Sequence, residues 1–204
     1  MKLILTIAFL LAFLPAALAA EKDPPLPEAA AIEAYLNGIS TLKSHFVQTA
    51  NDGQRLTGTF MLKRPGRLRF EYDLPVTDLI VADGTFIHYY DGQMKQESSA
   101  PISQSLADFF LRPDLKLSGD IGVSGIERRN GLLEMTLVQS RDPLAGYLTL
   151  MFGENPLQLK KWVVIDAQGL TTAVALEDTQ LGIALKNKLF YYYDPEHKKP
   201  ILNK

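Results

Sequence analysis

The chain has 204 residues, with 21 basic and 23 acidic side chains, a net charge of −2 and no cysteine. That balance does not suggest a nucleic-acid binder, which calls for a basic domain, and the missing cysteine excludes disulfides and thiol catalysis. With 47% hydrophobic residues the chain can bury a core, and its length fits one domain.

The first residues read as a targeting segment. Met1-Lys2 is a short basic start, Leu3 to Leu14 is apolar, and Ala17-Leu18-Ala19 is an A-x-A cleavage site after Pro15. Residues 1–19 are expected to be a signal peptide cleaved after Ala19 or Ala20, leaving 20–204 as a single domain. The apolar run is short for a spanning helix. Without a cysteine at the cleavage site, no lipid anchor can be attached there. A free protein in the periplasm is the expectation.

Pro27 suits the first turn of a helix that runs to about Ser40. Ile32, Tyr35, Leu36 and Ile39 fall at i, i+3, i+4 and i+7, one apolar stripe. This helix is expected to cover a sheet. From Thr41 the period switches to two. Strands are expected at about 42–51, 54–64, 67–73, 77–82, 85–91 and 94–98. Asn51-Asp52-Gly53, Pro65-Gly66, Asp83-Gly84 and Asp91-Gly92 are the hairpin signals between them. Connections this short make antiparallel neighbours.

The second hairpin, Gly58 to Tyr72, carries the densest pattern. Strand side chains alternate between faces. Phe60, Leu62 and Arg64 therefore share one face, and Met61 and Lys63 the other. On the next strand Leu68, Phe70 and Tyr72 form an apolar row, while Arg67, Arg69 and Glu71 point the opposite way. Arg64 stands in line with an apolar row, where an unpaired charge is costly. Two readings stay open: a partner on a covering element, or a rim arginine that reaches water. The cluster of Lys63, Arg64, Arg67 and Arg69 has the charge to meet an acidic partner.

Pro101 to Leu111 breaks the run of strands. Ser103 or Ser105 can cap a short helix, and Pro113 follows its end. Ile102, Leu106, Phe109 and Phe110 form its apolar stripe, which by itself reads as a connector packed into a core. Strands resume at about 120–128, 131–139, 146–152, 157–165, 170–177 and 182–192. Asn130-Gly131, Asn155-Pro156 and Gln168-Gly169 mark turns. About a dozen antiparallel strands exceed a flat sheet and leave a barrel, a half-barrel or a sandwich open.

No catalytic set assembles. His45, His88 and His197 are not at metal-ligand spacing. Gly122-Val123-Ser124-Gly125 is not a G-x-S-x-G elbow, because the second glycine comes one residue early. There is no phosphate loop and no dinucleotide fingerprint. A binding protein without cofactor or metal is the expectation, not an enzyme. A hydrolase on a β-rich scaffold is the alternative.

Gly58-x-Phe60-x-Leu62-Lys63-Arg64-Pro65-Gly66-Arg67-x-Arg69-Phe70-x-Tyr72, with Pro75 beyond it, resembles the signature of the outer-membrane lipoprotein carrier family, LolA. Leu42 to Gln48 resembles the family's aromatic-x-Gln strand, and Ile80 to Gly84 with Phe86 to Asp91 its next hairpin. The specific match runs from about Leu36 to Gln96, and beyond it only the general pattern agrees. The resemblance implies a mainly β fold, an incompletely closed antiparallel β-barrel with a lid of short α-helices. It implies a periplasmic chaperone for acylated lipoproteins, with a related lipid-binding or lipoprotein-sensing half-barrel as the alternative; a monomer is the expectation. Its partners would be an ATP-driven release complex of the inner membrane and an outer-membrane acceptor where one is present. It assigns Arg64 as the latch between lid and barrel. Leu36, Phe60, Leu62, Leu68, Phe70, Tyr72, Leu106, Phe109 and Phe110 would line the acyl cavity.

Overall fold

The computed structural model describes residues 27–195 apart from 106, 143 and 145. The signal-peptide reading of residues 1–19 and the cavity residue Leu106 lie outside the described residues. Helix α1 (Pro27–Gly38) precedes six strands: β1 (Thr41–Thr49), β2 (Arg55–Lys63), β3 (Arg67–Tyr72), β4 (Leu79–Asp83), β5 (Phe86–Asp91) and β6 (Gln96–Pro101). A crossover follows, containing one 3-10 turn (Ile102–Gln104) and the single-turn helix α2 (Asp108–Leu111). The second series is β7 (Ile121–Arg129), β8 (Leu132–Gln139), β9 (Gly146–Gly153), β10 (Gln158–Asp166) and β11 (Thr171–Leu181).

All eleven strands form one antiparallel sheet in the order β6-β5-β4-β3-β2-β1-β11-β10-β9-β8-β7. Each series is a meander of hairpins, and β1 and β11 join the two at the centre. The edges β6 and β7 do not pair, so the sheet is an open half-barrel. Residues of both series meet in one core, from Phe46, Phe60 and Leu68 to Met135, Leu150, Phe152 and Trp162. The crossover must pass from one sheet edge to the other, so Ile102, Phe109, Leu111 and Leu115 also pack into that core.

Antiparallel order fixes two ends. The β2–β3, β4–β5, β7–β8 and β9–β10 turns share the end that α1 spans. There Glu28 at the start of α1 meets Arg128 of β7 at 3.4 Å, and the carbonyl of Leu36 near its close meets Arg64 beyond β2. The β3–β4, β5–β6, β8–β9 and β10–β11 connections share the opposite, uncapped end.

Two glycines of the signature hairpin have steric causes. A Cβ on Gly58 would lie 2.7 Å from the Phe46 ring and 2.2 Å from the Glu71 carbonyl oxygen. Gly66 turns with φ +78° and would bring a Cβ within 2.9 Å of the Gly84 Cα. Only glycine permits both approaches.

Three expectations need correction. The crossover is not one capped helix. Ser105 Oγ bonds back to the Ile102 carbonyl, and α2 starts at Asp108 with no side-chain cap. Residues 182–192 are not a strand, so the strands number eleven rather than about twelve. Gly182 turns out at φ +71°, and β1 begins at Thr41, whose carbonyl accepts from the Gly182 amide. No ladder remains beyond that point for a longer β11 to join.

Instead the chain after Gly182 crosses the outer face of the first series. Lys63 Nζ donates to the Leu185 carbonyl and to Asn187 Oδ1 at 2.8 and 2.7 Å, and Arg69 donates to the Leu189 carbonyl at 3.4 Å. The Tyr192 ring stacks on His88 at 4.6 Å. This strap explains the third correction. Met61 is buried although it points away from the core, and Arg69 is occupied by Leu189 and Glu71 rather than free for a partner.

Candidate functional site

Arg64 follows β2 at the capped end, on the inward row with Phe60 and Leu62. Its guanidinium forms four hydrogen bonds to three acceptors. One NH donates to the Leu36 carbonyl of α1. The Nε and second NH donate to the Arg112 carbonyl just past α2, at 3.2 and 2.5 Å, and the second NH also reaches Asn37 Oδ1 at 3.3 Å. A planar fork suits this job, because one side chain addresses acceptors on separate elements. Burial lowers the Arg64 pKa, and nearby Asp114 opposes that shift. The main chain reinforces the joint: the Gly66 amide donates to the Leu111 carbonyl at 2.9 Å.

Asn37 is a second junction. Its Oδ1 accepts from the Leu115 amide and its Nδ2 donates to the Leu115 carbonyl, at 2.9 and 3.0 Å. Glu33 accepts from the Leu117 amide at 2.9 Å. Tyr35 accepts from the Leu159 amide at 3.0 Å, at the register shift where β10 bulges against β9. Burial raises the Tyr35 pKa, partly offset by that bond. The lid is thus α1 plus residues 108–117, sewn together by polar side chains of α1.

Beneath the joint lies an apolar cavity lined by Leu36, Phe60, Leu62, Arg64, Phe109 and Phe110, with Ile39, Leu42, Leu115 and Leu159. Its volume is about 10 Å³, at the lower limit for a single water. The cavity is closed. Leu68, Phe70 and Tyr72 are not among its lining residues. They stand beside it, in an aromatic cluster where Phe60 stacks on Phe70 at 4.5 Å and Phe46 meets Phe70 and Tyr72 edge-on at 5.2 Å. The Tyr72 hydroxyl donates to Gln48 at 2.8 Å. Burial first, then Asp78 and Tyr89, push its pKa up to about 12 against the Gln48 bond, so it stays protonated.

Trp162 on β10 packs against two of the lining rings. Its ring lies 5.2 Å from Phe110 of the lid and 5.6 Å from Phe60 of the sheet. The sequence offered no signal to single out this tryptophan, since a buried aromatic on a strand reads as core. Asn37 was equally hidden, because Asn before Gly at a helix end reads only as a stop signal.

Residues 37–193 match the profile of the family described as "Outer membrane lipoprotein carrier protein LolA". A protein named outer-membrane lipoprotein carrier protein from Methylobacillus flagellatus is 25% identical over 175 residues, covering 80% of this chain and 83% of its own length. One of the same name from Pseudomonas aeruginosa PAO1 is 29% identical over 172 residues, covering 78% and 80%. Among solved structures, an uncharacterized conserved protein from Thermus thermophilus shares the fold with TM-score 0.50 at 12% identity, over 84% of this chain and 95% of its own. The profile spans well over half of the chain, across the lid joint, the cavity and both strand series: this protein belongs to the outer-membrane lipoprotein carrier family.

Proposed function

We propose that the protein is a periplasmic chaperone that takes acylated lipoproteins released from the inner membrane, shields their acyl chains and carries them to the outer membrane. The observation that carries this reading is the Arg64 fork, which holds two lid elements down over a closed apolar cavity. Burying a methylene contributes about 0.8 kcal/mol, so one long chain offers on the order of 10 kcal/mol before costs. That is enough to break the lid bonds and open the cavity. Closing the lid restores those bonds and expels the chain, so the load is held but not trapped.

Cleavage after Ala19 or Ala20 would free residues 20–204 into the periplasm. Among the described residues, no helix is long and apolar enough to cross a membrane. The cargo would arrive from an ATP-driven release complex and leave to an outer-membrane acceptor where the host has one. The carrier would work as a monomer, without catalysis of its own.

Mass spectrometry of the protein purified from a native periplasm tests the reading. Co-purifying triacylated lipoprotein is the expected result. Bound free lipid alone would move the assignment to a lipid-binding half-barrel, and an empty protein in lipoprotein-replete cells would overturn it.

A further inference from the structure

A roomier cavity lies away from Arg64. A vestibule of about 390 Å³ opens at the uncapped end, between the crossover and strands β7 to β10. That volume is in the range of small-molecule sites. Its floor is apolar, made by Ile121, Leu137, Leu148 and Ile165. Its rim is polar, with Gln104, Asp108, Arg112 and Arg141. An apolar floor under a polar rim fits an amphiphile with its chain inward and its head at the mouth. Leu144 and Leu170 on the adjoining connections are 88% and 54% exposed, which gives a greasy approach.

Two features tie this vestibule to the closed cavity. Phe109 lines both spaces, the vestibule of about 390 Å³ and the cavity of about 10 Å³. Arg112 also serves both. Its guanidinium lines the vestibule and is held by Asp108 and by Asp120 at 3.1 and 3.2 Å, while its own carbonyl receives two of the Arg64 bonds. The Arg112 Nε is buried with no hydrogen-bond partner.

We propose that the vestibule is the portal where an acyl chain of the lipidated cysteine first docks, with Phe109 as the gate between it and the closed cavity. The proposal rests on the carrier reading. The chain end settles on Leu137 and Leu148 while the lid is shut, and an ester or amide carbonyl at the head meets Arg112. A ligand that shifts Arg112 disturbs the carbonyl that Arg64 grips, so docking loosens the joint before the cavity opens.

The test uses a fluorescent triacylated cysteinyl peptide and the mature protein. Gln104 is exposed on the rim, so Gln104→Trp narrows the mouth without touching the core. The expected result is uptake and release both slowed about tenfold with the final occupancy unchanged. Because the chain has no cysteine, Gln104→Cys can carry a single benzophenone. That label should capture the peptide at delays shorter than the Trp162 fluorescence change, and the same label at exposed Glu127→Cys should not. Wild-type uptake in Gln104→Trp without capture at position 104 overturns the portal. Lower final occupancy at an unchanged uptake rate overturns it too, since that marks a cavity wall and not a gate. If Gln104→Trp does not fold, the capture order decides alone. If the wild-type protein binds no acylated peptide, the carrier reading itself fails.

Discussion

Replacing Arg64 by leucine removes a side chain that ties the end of β2 to both lid elements. Four hydrogen bonds to three acceptors are lost, two of the acceptors being main-chain carbonyls of Leu36 and Arg112. A bond to a charged group is worth roughly 1.5–3 kcal/mol, which gives a gross loss of about 5–9 kcal/mol over three acceptors. Much of that is offset. The guanidinium gives up water to reach the site, where burial lowers its pKa, and its partners can regain water once the lid opens. A net bias of about 2–4 kcal/mol towards the closed lid remains, or ~30-fold to ~700-fold in the ratio of closed to open molecules. Leucine is apolar and fills the inward row, so the barrel should fold. Acyl binding no longer works against that bias. Arg64→Leu should therefore hold a fluorescent triacylated peptide at least tenfold more tightly, and should fail to pass radiolabelled lipoprotein to outer membranes. Trp162, the only tryptophan in the chain, sits against Phe110 and reports lid position by its fluorescence. The empty variant should already show the ligand-bound spectrum. Arg64→Lys should fall between the two, because a point charge cannot address three acceptors at once. Delivery by Arg64→Leu at the normal rate, with an unchanged empty spectrum, would refute the latch.

Phe109 is buried in the cavity wall, and Phe109→Asp should cut the affinity for an apolar fluorescent probe at least tenfold by titration. Asn37→Ala removes both bonds to Leu115 and one to Arg64, a loss of about 1–3 kcal/mol. It should lower the melting temperature by several degrees in a thermal scan and tighten acyl binding less than Arg64→Leu does. The Arg112 bond holds the Asp120 carboxyl below its ordinary pKa. Its stabilisation is therefore present above about pH 3.9, the unfolded value, and is lost as pH falls through the lower folded value. The urea midpoint of wild type should exceed that of Asp120→Asn between pH 5 and 8, and the gap should close on acidification below about pH 4.

The hairpins were legible because each connection carries its own turn chemistry, from Pro65-Gly66 to Gln168-Gly169. The inward position of Arg64 was legible from its register with Phe60 and Leu62. Its acceptors were not. Two of them are main-chain carbonyls, which every residue has and no sequence marks. The strap at 182–194 was misread because its apolar residues alternate as a strand's do: Phe190 and Tyr192 are buried, while Tyr191 and Tyr193 are half-exposed. Alternation reports that one side is covered, not that a ladder exists. Here the ladder ends where β1 begins, at Thr41, and the covering side is the outer face of another strand series. The division of the lid into a 3-10 turn and one turn of helix was equally invisible, since it turns on Ser105 bonding back to Ile102 rather than forward.

The topology explains how a lid can move without unfolding its barrel. The crossover is pinned at both ends by ladders, Pro101 opposite Phe86 and Ile121 opposite Gln139. Between those pins it touches the capped end through polar bonds, from Gly66, Arg64, Asn37 and Glu33. The sheet has continuous antiparallel ladders of its own, joined across the β1–β11 junction, while the crossover shares the apolar core through Ile102, Phe109, Leu111 and Leu115. Lifting the lid breaks a handful of hydrogen bonds that water can replace, and exposes an apolar wall that an acyl chain can cover. Neither change touches a ladder. On the carrier reading proposed above, the polar side chains of α1 would set how hard the lid closes, while Phe60, Phe109 and Phe110 would set how well an open cavity accepts an acyl chain. Substitutions in the first set should alter hand-off before capture, and substitutions in the second should alter capture before hand-off.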